Sequence, residues 1–215
     1  MRKISHRQLL STFISSIAVL AIIAATSLAL NIPISVMTRD VAAIGNIHPL
    51  YGFLSSIGII LWSAVVSVCL FTASILRTGG QREMAKFLYW SALLTLYLLL
   101  DDLFQIHEAL ASQYLSLNEN IIYAILAVTL CTYLITFKQL ILTTHVFLLV
   151  LAFGLLGLSV VIDSIPQQWL QVLGHWKYFF EDGLKWLGIV AWCSYYFNTS
   201  YQFLENQFSQ PNNAI

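Results

Sequence analysis

Charge is what this sequence has least of. Lys, Arg, Asp and Glu together make up 9% of 215 residues, against 59% hydrophobic residues. A soluble domain carries roughly 25% charged residues, and one with this apolar inventory would expose a sticky surface. The formal net charge is zero, so nothing marks a basic face for nucleic acid, and no Gly-rich phosphate loop is present. Cysteine is scarce and odd in number. Cys69, Cys131 and Cys193 each fall inside an apolar run, which excludes a disulfide framework and leaves them as small packing residues. The four prolines, Pro33, Pro49, Pro166 and Pro211, all fall between or after the apolar runs, so no run is broken.

What the sequence does have is length of apolar run. A helix needs roughly 20 residues to cross a hydrocarbon layer about 30 Å thick. Six stretches reach or approach that: 9–30, 50–76, 87–106, 121–137, 144–162 and 179–198. They are continuous, not alternating, so helices are expected and barrel strands are not. The first run is longer than the apolar core of a signal peptide and reads as an uncleaved span. The expectation is an all-α, polytopic transmembrane bundle of about six spans. It forms a single embedded domain in the lipid bilayer of a cell membrane, with a short polar tail over 199–215.

Basic residues orient it. Arg2, Lys3, Arg7, Arg77, Arg82, Lys86 and Lys138 fall on the side of the N-terminus, and Arg39, Lys177 and Lys185 on the other. The excess of Lys and Arg belongs in the cytoplasm, which places both termini there. The acids sort the opposite way: Asp40, Asp101, Asp102, Glu108, Glu119, Asp163, Glu181 and Asp182 fall outside, with only Glu83 and Glu205 inside. Acidic residues contribute little to orientation. Ionisable groups at or inside span ends are costly, and within a membrane they mark function by default.

Three spans bring acids to one depth. The third ends in LYLLLDDLFQIHEAL, where a continuing helix would align Asp101, Gln105 and Glu108 on one stripe, with Asp102 to one side and His107 elsewhere. The fifth delivers Asp163. The sixth opens with FFEDGLK, giving Glu181, Asp182 and Lys185, with Glu181 and Lys185 at pairing distance along the helix. Lys185 lies about as deep as Asp101, so an ion pair between them is expected across helices. His48, His107 and His175 could add imidazole.

Carboxylates this close cannot all stay ionised without compensation by protons, Lys185 or a bound cation. The candidate metal ligands are Asp101, Asp102, His107, Glu108, Asp163, Glu181 and Asp182. Carboxylates alone suit Ca, Mg or Mn, and mixed carboxylate and imidazole also suit Zn or Fe. With such a divalent ion, Glu108 or Asp102 would serve as general base and Lys185 would balance charge, making a hydrolase of a small amphiphilic substrate. The alternatives are a proton- or cation-coupled transporter or channel, which an oligomer could also form, and a noncatalytic assembly or sensor subunit. HExxH and the Glu-x-x-His of di-iron bundles are absent. Gly154, Gly157 and Ser159 are expected to permit close packing of the fifth span.

Overall fold

A computed structural model describes residues 6–106, 119–165, 174 and 176–209. Among them every regular element is a helix. The chain falls into two compact units, Met1–Phe53 and Leu54–Ile215. The first contains α1 (His6–Leu30) and two short helices, α2 (Ile34–Thr38) and α3 (Val41–Gly45). The second is built from α4 (Phe53–Thr78), α5 (Arg82–Phe104), α6 (Glu119–Leu142), α7 (Val146–Ser164) and α8 (Trp176–Ser209).

The connections follow from local chemistry. Between α4 and α5 the chain reverses over Gly79, Gly80 and Gln81, where Gly80 takes φ +85°, a conformation that glycine adopts without steric cost. Gln81 N–H closes the turn on Leu76 O at 2.9 Å. The reversal after α6 uses Thr143 and Thr144, whose side chains bond back to Leu140 O and Ile141 O. Along the helices, Ser63, Ser67, Thr129, Thr132 and Thr136 each donate to the carbonyl four residues earlier. Such back-bonding satisfies a hydroxyl where no water is at hand.

Among the described residues four helices are long and apolar enough to cross a membrane: Phe53–Thr78, Arg82–Phe104, Ala124–Leu142 and Val146–Ser164. The most apolar, Val146–Ser164, has a mean hydropathy of 2.6, yet only 17% of its span is buried inside the protein. In water that exposure would be ruinous; in lipid it is the expected surface. The sixth expected span, 179–198, is longer at both ends. Helix α8 continues to Ser209 with Thr199, Ser200 and Phe203 buried, so residues 199–209, expected as tail, are helix.

Helix α8 is the one the others pack around. Its buried positions Ile189, Tyr196 and Phe203, and likewise Trp192 and Thr199 with the half-buried Lys185, recur every seven residues, the seam of a helix packed at shallow angles. It runs parallel to α4, touching it first through Ile189 against Gly58 and then through Trp192 against Trp62, ring centroids 5.8 Å apart. It runs antiparallel to α7, where Ser159 Oγ donates to Glu181 O at 3.0 Å and Phe153 stacks edge-on against Trp192 at 5.3 Å. The close approach between these two helices depends on Gly188. A Cβ there would stand 2.7 Å from Leu156 Cγ. Gly154 and Gly157, expected to play that part, have nothing within 4 Å of an added Cβ. The small residue that matters is on the partner helix.

Candidate functional site: an ion pair on a polar ladder

The interface between α5 and α8 is a ladder of polar pairs in antiparallel register. At its outer rung Lys185 Nζ forms an ion pair and hydrogen bond with Asp102 Oδ1. Seven residues inward on both helices, Trp192 Nε1 donates to Thr95 Oγ1 at 3.1 Å. Four residues further on both, Ser91 and Tyr196 are joined through Tyr133 of α6. Ser91 Oγ and Tyr133 OH are 2.7 Å apart, and Tyr133 OH and Tyr196 OH 3.0 Å. Ser91 also donates to Phe87 O at 2.7 Å, which uses its single hydrogen. Tyr133 must therefore donate to Ser91, and Tyr196 to Tyr133. The last two rungs are wholly buried, with Trp192, Tyr196, Ser91 and Thr95 each at 0% exposure. Buried polar groups in such a setting are nearly always hydrogen-bonded.

The outer rung differs from the inner two. Asp102's side chain is 7% exposed and Lys185's 41%. While Oδ1 holds Lys185, Asp102 Oδ2 is buried with no hydrogen-bond partner. Gly58 of α4 makes room for it: a Cβ at Gly58 would lie 4.0 Å from Oδ2. Asp102 also lines a small cavity of about 50 Å³, together with Leu54, Ser55, Asp182, Lys185, Trp186 and Ile189. Asp182 is exposed at the rim and close enough to feel both the Lys185 and the Asp102 charge.

The other expected site residues are placed differently. The ion pair expected between Asp101 and Lys185 is formed by Asp102. Asp101 is half-buried and acts electrostatically on Tyr97, one turn back along α5. The stripe of Asp101, Gln105 and Glu108 does not form as one helix, because α5 ends at Phe104 and Gln105 turns left-handed at φ +48°, its N–H bonded to Asp101 O. His107, Glu108 and His175 lie outside the described residues. Asp163 is exposed at the end of α7; it contributes its backbone carbonyl to Lys177 Nζ at 3.4 Å. Glu181 is half-buried, and its carbonyl accepts from Ser159. His48 is exposed in the first unit, where its Nδ1 accepts from Leu50 N–H at 3.3 Å. Among the described residues no three His, Cys, Asp or Glu side chains gather closely enough to hold a metal ion.

Lys177 lies at the same end of the bundle but is buried. Expected as an outer-face base, it is 7% exposed, with Nζ directed at Asp163 O and Ile165 O. A cation at the carbonyl end of α7 is the arrangement that a helix dipole favours. A larger cavity, about 610 Å³, lies elsewhere, between α5 and α6, walled by Trp90, Leu94, Ile125, Val128 and Phe137. None of the ionisable candidates lines it.

The family described as "Domain of unknown function (DUF8692)" matches residues 14–199. The chain belongs to this family. The DUF8692 match takes in every rung of the ladder and every residue lining the Asp102 cavity, and it ends inside α8. No curated protein matches the chain, and no solved structure does.

Proposed function

We propose that this DUF8692 protein is a cation-handling membrane protein, of the proton- or cation-coupled transport class, with its site at the Asp102–Lys185 rung. The observation that carries this reading is Asp102: a carboxylate compensated by Lys185 on one oxygen and unpartnered on the other, in a side chain that lines a cavity of about 50 Å³. Water occupies roughly 30 Å³ in the liquid, so the space suits a water molecule or a desolvated ion and is far too small for the reacting part of a lipid.

Metal-dependent hydrolysis of an amphiphile draws less support. Its expected ligands Asp101, Asp102, Asp163, Glu181 and Asp182 do not gather as a set among the described residues, and Lys185 already occupies one oxygen of Asp102. A divalent Ca, Mg, Mn, Zn or Fe ion would have to displace that ammonium.

The same reading extends the four apolar helices to six spans. Helix α8 makes contacts at both ends of the bundle, from Lys177 beside the end of α7 to Gln207 Nε2, 3.4 Å from Gly79 O at the α4–α5 turn. It therefore crosses with the others, its polar residues facing inward. Helix α1 supplies the sixth span with its 25 residues. Seven of the ten basic residues on one side put both termini in the cytoplasm of a cell membrane, and the Asp102 cavity outside.

The test is flux. In proteoliposomes under an imposed sodium or proton gradient, the wild-type chain should conduct above protein-free vesicles. Asp102→Asn should lower that flux at least about tenfold, the consequence of removing an intramembrane charge on the path. Wild-type flux no greater than in empty vesicles would overturn the transport reading and favour a noncatalytic assembly or sensor subunit.

A further inference from the structure

The Asp102 cavity has a charge imbalance that fixes the kind of ligand it takes. Two carboxylates, Asp102 and Asp182, face one ammonium, Lys185, which leaves one negative charge. Lys185 satisfies Asp102 Oδ1 only. Oδ2 belongs to a side chain more than nine-tenths buried and has no partner. A buried carboxylate oxygen without a donor or cation costs free energy that folding must recover elsewhere.

We infer that this cavity is a binding site for a single small monovalent cation of the sodium type, held between Asp102 Oδ2 and the Asp182 carboxylate with Ser55 Oγ as a neutral oxygen ligand. The inference rests on the proposed cation-handling role and names the ion. Three facts support the choice. One added positive charge neutralises the site, whereas a divalent ion would overshoot while competing with Lys185. The cavity accommodates one desolvated ion with at most one or two waters. Ca²⁺ demands six to eight oxygens, more than Asp102, Asp182 and Ser55 supply.

The position of the groups suits reversible entry. Asp182 and Ser55 are exposed and meet the ion first, and the buried Asp102 oxygen completes its coordination. Trp186, Leu54 and Ile189 line the remaining wall and keep bulk water from replacing the protein ligands. At Gly58 an added Cβ would stand 3.1 Å from Ile189 Cδ1 and 4.0 Å from Oδ2, so a larger residue there would push the Ile189 side chain by a few tenths of an ångström.

Binding is read without flux. The full chain, purified in detergent, is unfolded thermally in sodium chloride and in choline chloride at equal ionic strength. A ligand that binds only the folded state raises the unfolding temperature by mass action. Sodium well above its dissociation constant is expected to raise it by about 3 °C over choline, with a further rise that follows the logarithm of the sodium concentration. Asp182→Asn, a change at an exposed position that leaves the Asp102–Lys185 pair in place, should abolish the difference, and Ser55→Ala should weaken it. Equal unfolding temperatures in the two salts would overturn the site, showing that it holds water alone. A sodium effect undiminished in Asp182→Asn would overturn it too, by placing the ion elsewhere. A sodium shift with no flux in vesicles would leave this site standing and remove the transport reading; flux without a sodium shift would do the reverse.

Discussion

Asp102 of α5 and Lys185 of α8 meet in the same register as Thr95 and Trp192, seven residues inward on both helices. The pair is thus part of the packing as well as of the site. Replacing Lys185 by Met should leave a carboxylate that is 7% exposed without its cation. Breaking a fully buried pair costs about 3–5 kcal/mol. Lys185 is 41% exposed, so water screens part of the interaction and about 2 kcal/mol is expected. The double variant Asp102→Leu, Lys185→Met should recover most of that loss, because neither charge is then stranded. Reversible unfolding in mixed detergent micelles measures the cycle; strictly additive single losses would show that the two side chains act independently.

The middle of the bundle makes an asymmetric prediction. Tyr133 accepts from Tyr196 and donates to Ser91, so its hydroxyl serves two interhelical bonds where that of Tyr196 serves one. Interhelical hydrogen bonds in membrane bundles contribute about 0.6 kcal/mol each on average, and at most about 1.7. Tyr133→Phe should therefore cost about 1–2 kcal/mol, and Tyr196→Phe about half as much. Equal losses in the same unfolding assay would contradict this two-to-one share of the interhelical bonds.

Glycine positions separate contact from composition. At Gly188 an added Cβ meets Leu156 Cγ at 2.7 Å and the Leu156 backbone nitrogen at 3.1 Å. A side-chain carbon can swing aside; the backbone cannot. Overpacking of this kind costs typically about 1–3 kcal/mol, so Gly188→Ala should destabilise despite alanine's better helix propensity. Gly154→Ala and Gly157→Ala meet nothing within 4 Å and should be neutral or gain up to about 1 kcal/mol from that propensity. Thermal unfolding of the three variants side by side checks the order.

The helices were legible in the sequence because lipid imposes a length and a composition, and both survive in any continuous run. The spans at 50–76 and 144–162 match α4 and α7 to within a few residues. Harder to read were the ends. Gln105 terminates α5 in a left-handed turn, and no residue type in DDLFQIHE announces it, since glutamine is not a usual helix stop. That single turn ends the helix on which the stripe from Asp101 was to continue. The ion pair was foreseen to within one residue, because depth along a helix is simple arithmetic but facing is not. Spacing would have supplied the facing: Thr95 and Asp102 on α5, and Lys185 and Trp192 on α8, are seven apart. A reading that sought only charge passed over the Ser, Thr, Tyr and Trp residues that share the seam. Lys177 shows the same blindness, since a count of basic residues cannot distinguish a solvated lysine from one folded onto backbone carbonyls.

Orientation gives the last prediction. Ser164 ends α7 beside the acidic end of the bundle, and Thr143 lies in the α6–α7 turn at the opposite end; both are exposed. In a background with Cys69, Cys131 and Cys193 replaced by Ala, Ser164→Cys should react with a membrane-impermeant maleimide in intact cells. Thr143→Cys should react only after permeabilisation. On the proposed six-span topology, Ser209→Cys, at the end of α8, should behave as Thr143→Cys does. The converse labelling pattern would invert the protein and put the Asp102 cavity in the cytoplasm. Labelling of Ser209→Cys together with Ser164→Cys would mean that α8 does not cross, and the sixth span would be lost.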